Sequence, residues 1–203
     1  MEAIDAIGHI PLPPYIKRAD TADDRERYQT VYANDPGSIA APTAGLHFTR
    51  PQLDALERQG VRFAHVTLRV GYGTFKPVRV EDVEEHRVDA ESFSVSVAAA
   101  QALKEARAEG RRVIAVGTTT TRVLESLDAG NLQAASGETD LFIREGHRFQ
   151  LVDGLVTNFH LPRSSLLMLV AAFGGHEAVM AAYREAVARE YRFYSYGDAM
   201  LVV

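Results

Sequence analysis

The 203-residue sequence has no cysteine. That excludes disulfide frameworks, thiolate metal sites, iron–sulfur clusters and a cysteine nucleophile, and it fits a reducing compartment. Tryptophan is missing too. No long apolar run occurs: the longest, Leu166 to Phe173, is far too short to span a bilayer. The opening Met1-Glu2-Ala3-Ile4-Asp5 has acids where a signal peptide needs bases. A cytoplasmic location and no membrane partner are therefore expected. There is no G-x-S-x-G elbow, no P-loop and no G-x-G-x-x-G fingerprint, and no two histidines stand at H-x₃-H spacing, so no metal is expected.

What remains is an ordinary globular composition, 46% hydrophobic and 24% charged, long enough to bury a core unaided. The net charge of −5 argues weakly against a polyanionic partner. Its distribution argues the other way. Residues 36–80 carry six bases (Arg50, Arg58, Arg62, Arg69, Lys76, Arg79) against two acids, and residues 81–110 carry eight acids against three bases. Either these are two solvated faces, or a basic strand-and-loop surface is bordered by an acidic helix and guides a polyanion.

Along the chain, Gly8 to Tyr15 is proline-rich and reads as an extended surface segment. A short helix is expected within Asp23–Ala33, then a turn at Asn34-Asp35-Pro36-Gly37. Helices are expected over 51–59, 97–109, 117–127, 164–173 and 177–191. Strands are expected over 61–70, 92–97, 113–116, 156–159 and 199–203, with 140–143 and 149–152 pairing as a hairpin. The continuous apolar run Val113-Ile114-Ala115-Val116 suggests a strand buried on both faces. No linker divides the chain, so 1–203 reads as a single α/β domain with a mixed sheet and packed helices.

Four stretches are rich in groups that do chemistry. Gly117, Thr118 and Thr119 follow a strand and open a helix, where backbone N–H groups can face an anion; the alternative is a helix capped by its own threonines. His47 follows the small-residue loop Ala40-Ala41-Pro42-Thr43-Ala44-Gly45, as a general acid or base or as a structural histidine. Tyr72 lies between two glycines at a strand end, with Phe75, Lys76 and Arg79 beyond it, either as a stacking platform with phosphate contacts or as a bulged strand end. Asn158 and His160 are spaced to share one strand face just before a buried helix, at the usual ligand crevice of open α/β sheets. A fifth stretch, Tyr191 to Asp198, is too aromatic for a free tail and is expected to fold back onto the domain.

Seven of these segments, GHIPLPPYI, DRERYQTVYA, APTAGLHF, GYGTFKPV, VIAVGTTTTRVLES, LVTNFHLPRSSLLMLV and YRFYSYGDAML, together resemble the S-adenosylmethionine:tRNA ribosyltransferase-isomerases of queuosine biosynthesis. The resemblance runs through essentially the whole chain, in family order. It implies transfer and isomerisation of the ribosyl moiety of S-adenosylmethionine onto 7-aminomethyl-7-deazaguanine at the tRNA wobble position, giving epoxyqueuosine with release of adenine and methionine. S-adenosylmethionine is then a co-substrate, tRNA the partner, and no true cofactor or metal takes part; a cytoplasmic monomer is implied. Family members begin well upstream of GHIPLPPYI and include an inserted β domain, so the chain is expected to match the C-terminal part of the catalytic domain, an open or incomplete barrel-like fold. Under this resemblance His47 and His160 become candidates for proton transfer. Tyr72, Phe75, Gly117, Thr118, Thr119, Asn158 and Asp198 become candidates for holding S-adenosylmethionine, with Tyr194 as a further aromatic. Arg69, Lys76 and Arg79 become candidates for tRNA. The competing reading is a truncated, inactive module that binds S-adenosylmethionine or tRNA.

Overall fold

The structure is a computed structural model that describes residues 8–13, 15–35, 37–71 and 86–203. Tyr72, Phe75, Lys76 and Arg79 lie outside the described residues. Strands and helices alternate as expected, but the strands form two three-stranded sheets. One is antiparallel, in the order β1 (Val66–Arg69), β2 (Glu91–Val95), β4 (Ala135–Thr139). The other is mixed: β5 (Gly154–Asn158) runs parallel to β3 (Ile114–Val116) on one side and antiparallel to β6 (Ala199–Val202) on the other. Neither sheet closes into a barrel among the described residues.

The helices are α1 (Asp24–Arg27), a 3-10 helix (Thr43–His47), α2 (Arg50–Arg58), α3 (Val97–Ala108), α4 (Thr118–Glu125), α5 (Ser165–Gly174) and α6 (His176–Ala188). Their starts are chemically marked. Thr49 and Gln52 form a reciprocal capping box on α2, and Ser96 and Ser164 accept from the backbone N–H three residues on in α3 and α5. Among the described residues no single helix is long and apolar enough to cross a membrane.

One helix joins the two halves. Val123 packs with Val95, Ala99 and Ala100 under the antiparallel sheet, while its neighbour Leu124 belongs to the larger core of Leu155, Phe159, Leu169, Val170 and Tyr183. The polar side chains of α4 bridge as well. The buried Arg122 guanidinium donates to the buried Glu91 carboxylate of β2 (2.8 Å) and to the carbonyls of Leu141 and Thr139. The Glu125 carboxylate accepts from the backbone N–H groups of Gln150 (2.8 Å), Leu151 (3.0 Å) and Val152 (2.9 Å).

That last contact corrects the hairpin expected over 140–152. Neither segment is a strand; Glu125 satisfies the amides that a partner strand would have paired, and a turn from His147 N–H to the Arg144 carbonyl closes the loop. The strand on this side is instead β4, built from Ala-Ser-Gly-Glu-Thr, whose small and polar residues carry no strand signal. The strand expected over 61–70 shortens to Val66–Arg69, the part with a partner in β2. The helix within Asp23–Ala33 is a single turn. The Val113–Val116 strand is not buried on both faces: among the described residues β3 is an edge strand, and Ile114 is exposed.

The aromatic C-terminal stretch folds back as expected. Tyr194 stacks on Tyr15 (ring centroids 4.7 Å), Ser195 is hydrogen-bonded to the Tyr15 hydroxyl, and Tyr196 donates to the buried Asp24 carboxylate (2.8 Å). Arg18 grips the same carboxylate with both terminal nitrogens and holds it well below the usual carboxylate range. The proline-rich segment that follows Gly8 is thereby anchored to the end of the chain.

Candidate functional site

β3 and β5 run parallel, and their C-terminal ends meet beneath the 3-10 helix. Gly117 N–H donates to the Val156 carbonyl (2.8 Å), extending the ladder by one bond. The chain then turns into α4 with Gly117 at φ +94°, a value that favours glycine. No side chain caps α4. Thr121 spends its hydroxyl on the Gly117 carbonyl, so the threonines do not cap their own helix. Thr118 is buried beside this turn and Thr119 half-buried.

Asn158 ends β5 and is buried. Its carbonyl oxygen accepts from Thr43 Oγ1 (2.8 Å), and its amide nitrogen donates to His47 Nε2 (3.3 Å). An amide NH₂ has no acceptor capacity, so Nε2 of His47 is the acceptor and Nδ1 carries the proton of the neutral ring. The His47 residue is exposed. A buried amide thus aims a solvent-accessible imidazole beside a glycine turn at a helix start. Such a group can move a proton to or from a ligand seated there.

The 3-10 helix owes its position to Gly45, which is buried against Thr30 and Tyr32. A Cβ at Gly45 would collide with the Tyr32 hydroxyl and come within 2.8 Å of Thr30 Cγ2. Gly45→Ala is expected to cost about 1–3 kcal/mol by overpacking, read from the urea midpoint.

The structure brings His47, Asn158, Gly117, Thr118 and Thr119 to one end of the mixed sheet, and adds Thr43, which sequence reasoning missed because it resembles any other loop threonine. His160 is not with them. The expectation that it shares a face with Asn158 fails because β5 stops at Asn158. Beyond it the Phe159 carbonyl accepts from Tyr194 N–H and His160 N–H donates to the Tyr183 hydroxyl (2.8 Å). The ring instead turns back to Thr157 on the other side of the strand (Nε2 to Oγ1, 2.7 Å). Asp198 accepts from Arg192 N–H (2.7 Å) and closes the 192–198 loop. Arg69 is exposed at the end of β1, in the other sheet.

Burial pushes His160 down to about 4, so the folded protein keeps it neutral. The unfolded chain takes up a proton as the pH falls below the ordinary histidine value of about 6.5 while the folded chain does not, so this residue lowers stability between roughly pH 6.5 and pH 4. His160→Gln is expected to flatten the fall in melting temperature across that window; an unchanged slope would contradict the burial.

These features define an α/β protein with a glycine turn and an oriented histidine at the carboxyl ends of adjacent parallel strands, the place where open α/β sheets ordinarily take their ligands. The chain belongs to the queuosine biosynthesis protein family, whose sequence profile matches residues 1–202. Among curated relatives, S-adenosylmethionine:tRNA ribosyltransferase-isomerase of Thiobacillus denitrificans is 56% identical over 203 residues, covering 100% of this chain. The enzyme of the same name from Anaeromyxobacter sp. strain K is 59% identical over 202 residues, covering 99% of this chain. The chain spans 59% of the length of each. The crystal structure of S-adenosylmethionine tRNA ribosyltransferase from Thermotoga maritima is similar at a TM-score of 0.67 and 49% identity, over 79% of this chain and 51% of that one.

Proposed function

We propose that this chain carries a catalytic wall of an S-adenosylmethionine:tRNA ribosyltransferase-isomerase, acting in queuosine biosynthesis by moving the ribosyl group of S-adenosylmethionine onto 7-aminomethyl-7-deazaguanine in tRNA. The observation that carries this reading is the His47–Asn158–Thr43 chain set against the Gly117 turn, within a segment that matches the family from end to end. The α4 N-terminus suits the carboxylate of the methionine portion. Proton removal beside the sulfonium needs a base, and departing adenine gains from an acid; the exposed, oriented His47 ring suits one of these steps better than the His160 ring, which is hydrogen-bonded to Thr157. Tyr72 and Phe75 suit the cation or a base, and Arg69, Lys76 and Arg79 suit tRNA phosphates. S-adenosylmethionine is consumed as substrate, by a monomer acting in the cytoplasm.

The second reading, a binding module without activity, is favoured by the chain spanning 59% of its relatives. One experiment separates the two. The matching segment of the Thiobacillus denitrificans relative is replaced by these 203 residues, and adenine release from S-adenosylmethionine is followed with and without tRNA. The proposal expects tRNA-dependent adenine release. A folded chimera that binds S-adenosylmethionine and releases no adenine would overturn it.

A further inference from the structure

The hydrogen-bond chain from Thr43 through Asn158 to His47 has two satisfied senses. In the sense seen here, the Thr43 hydroxyl donates to Asn158 Oδ1 (2.8 Å) and the amide nitrogen donates to His47 Nε2 (3.3 Å). The other ring nitrogen, Nδ1, then carries the proton and is a donor. Half a turn of the amide exchanges its oxygen and its nitrogen. Thr43 can follow, because a hydroxyl accepts as readily as it donates. The amide nitrogen now donates to Thr43 Oγ1, Oδ1 accepts from His47 Nε2–H, and Nδ1 presents a lone pair. The surroundings suit such a turn. Asn158 is 3% exposed, so its amide answers to these two partners and not to bulk water. No side chain caps the 3-10 helix. Thr43, its first residue, spends its hydroxyl instead on a side chain 115 positions away. Protonation of the ring forces the turn: once Nε2 carries hydrogen, the sense seen here sets two N–H donors against each other. An apolar side chain at position 43 could not follow.

We propose that Thr43 and Asn158 are positioning residues that form a reversible relay, switching Nδ1 of His47 between proton donor and proton acceptor. With the amide turned, Nδ1 takes a proton and later releases it, while Nε2 keeps its hydrogen throughout. The use of this relay rests on the function proposed above. There, the C–H bond beside the sulfonium breaks with its electron pair left on carbon, and the proton joins Nδ1. That new N–H bond then breaks toward adenine, whose nitrogen keeps the electron pair of its broken bond to ribose. The ring ends neutral, as it began, and one histidine serves both steps.

The test is nuclear magnetic resonance of the 203-residue chain with nitrogen-labelled histidine and asparagine. Spectra are taken at about pH 8 and about pH 5, on either side of the ordinary histidine value of about 6.5. The His47 ring nitrogens report their own protonation. In the neutral ring the proton should sit mainly on Nδ1, the reverse of an imidazole free in water. The Asn158 amide protons should then show Overhauser contacts to the carbon-bound ring protons of His47. In the protonated ring those contacts should fade and reappear at the Thr43 methyl group. Asn158→Asp, whose carboxylate only accepts, should return the neutral ring's proton to Nε2. Asn158→Ser, too short to reach the ring, should do the same and replaces it if the buried carboxylate does not fold. Amide contacts that stay in place in both states would overturn the proposal. So would a neutral wild-type ring protonated on Nε2, or an Nδ1–H ring that survives the substitution. None of these readouts uses ribosyl transfer. A chimera without adenine release would remove the proposed function and leave the relay, whereas an amide that does not turn would remove the relay alone.

Discussion

Arg122→Ala is expected to destabilise the fold by about 3–5 kcal/mol, a large share of the roughly 5–15 kcal/mol that holds an ordinary domain. The guanidinium is buried between the two sheets, with the Glu91 carboxylate and the carbonyls of Thr139 and Leu141 as its partners. Truncation takes the Arg122 cation from a buried carboxylate and these donors from two carbonyls. Removing both charges with Glu91→Leu in the same chain should recover part of the loss, since the buried charge is then gone. Urea unfolding of the two variants measures this. A loss under about 1 kcal/mol for Arg122→Ala would mean that the sheets are not joined through this residue.

His47→Ala is expected to behave oppositely: little change in stability, because the residue is exposed, and a fall in single-turnover adenine release of about 10²-fold or more. The comparison is made in the chimera with the longer relative. S-adenosylmethionine binding should change far less, because proton transfer is felt in the transition state and only weakly in the ground state. A stable, fully active His47→Ala variant would end the role. His160→Ala, by contrast, is expected to lower stability with turnover kept, since its ring faces Thr157 and not the crevice.

The helices were legible as periodic or apolar segments, and the structure closes their starts with side-chain caps at Thr49 with Gln52, Ser96 and Ser164. β3, β5 and β6 were legible as apolar runs. The errors share a cause, namely a tertiary partner that local pattern does not carry. Nothing local marks Arg122 and Glu125 within the expected 117–127 helix, yet both are buried and hold the backbone of the segments expected to pair as a hairpin. β4 is strand only because β2 offers it a ladder. At the site, His47, Asn158 and the Gly117 turn were legible as polar or small residues beside strand ends. That His160 leaves their face was not, because the turn after Asn158 is set by Tyr183 and Tyr194, distant in sequence.

The most direct test of the central claim is a structure of the chimera with S-adenosylmethionine or a stable analogue bound. The account predicts the methionine carboxylate within hydrogen-bond reach of the backbone N–H groups after Gly117, with His47 facing the ribose. A ligand seated elsewhere, with the Gly117 turn and His47 remote from it, would contradict the account.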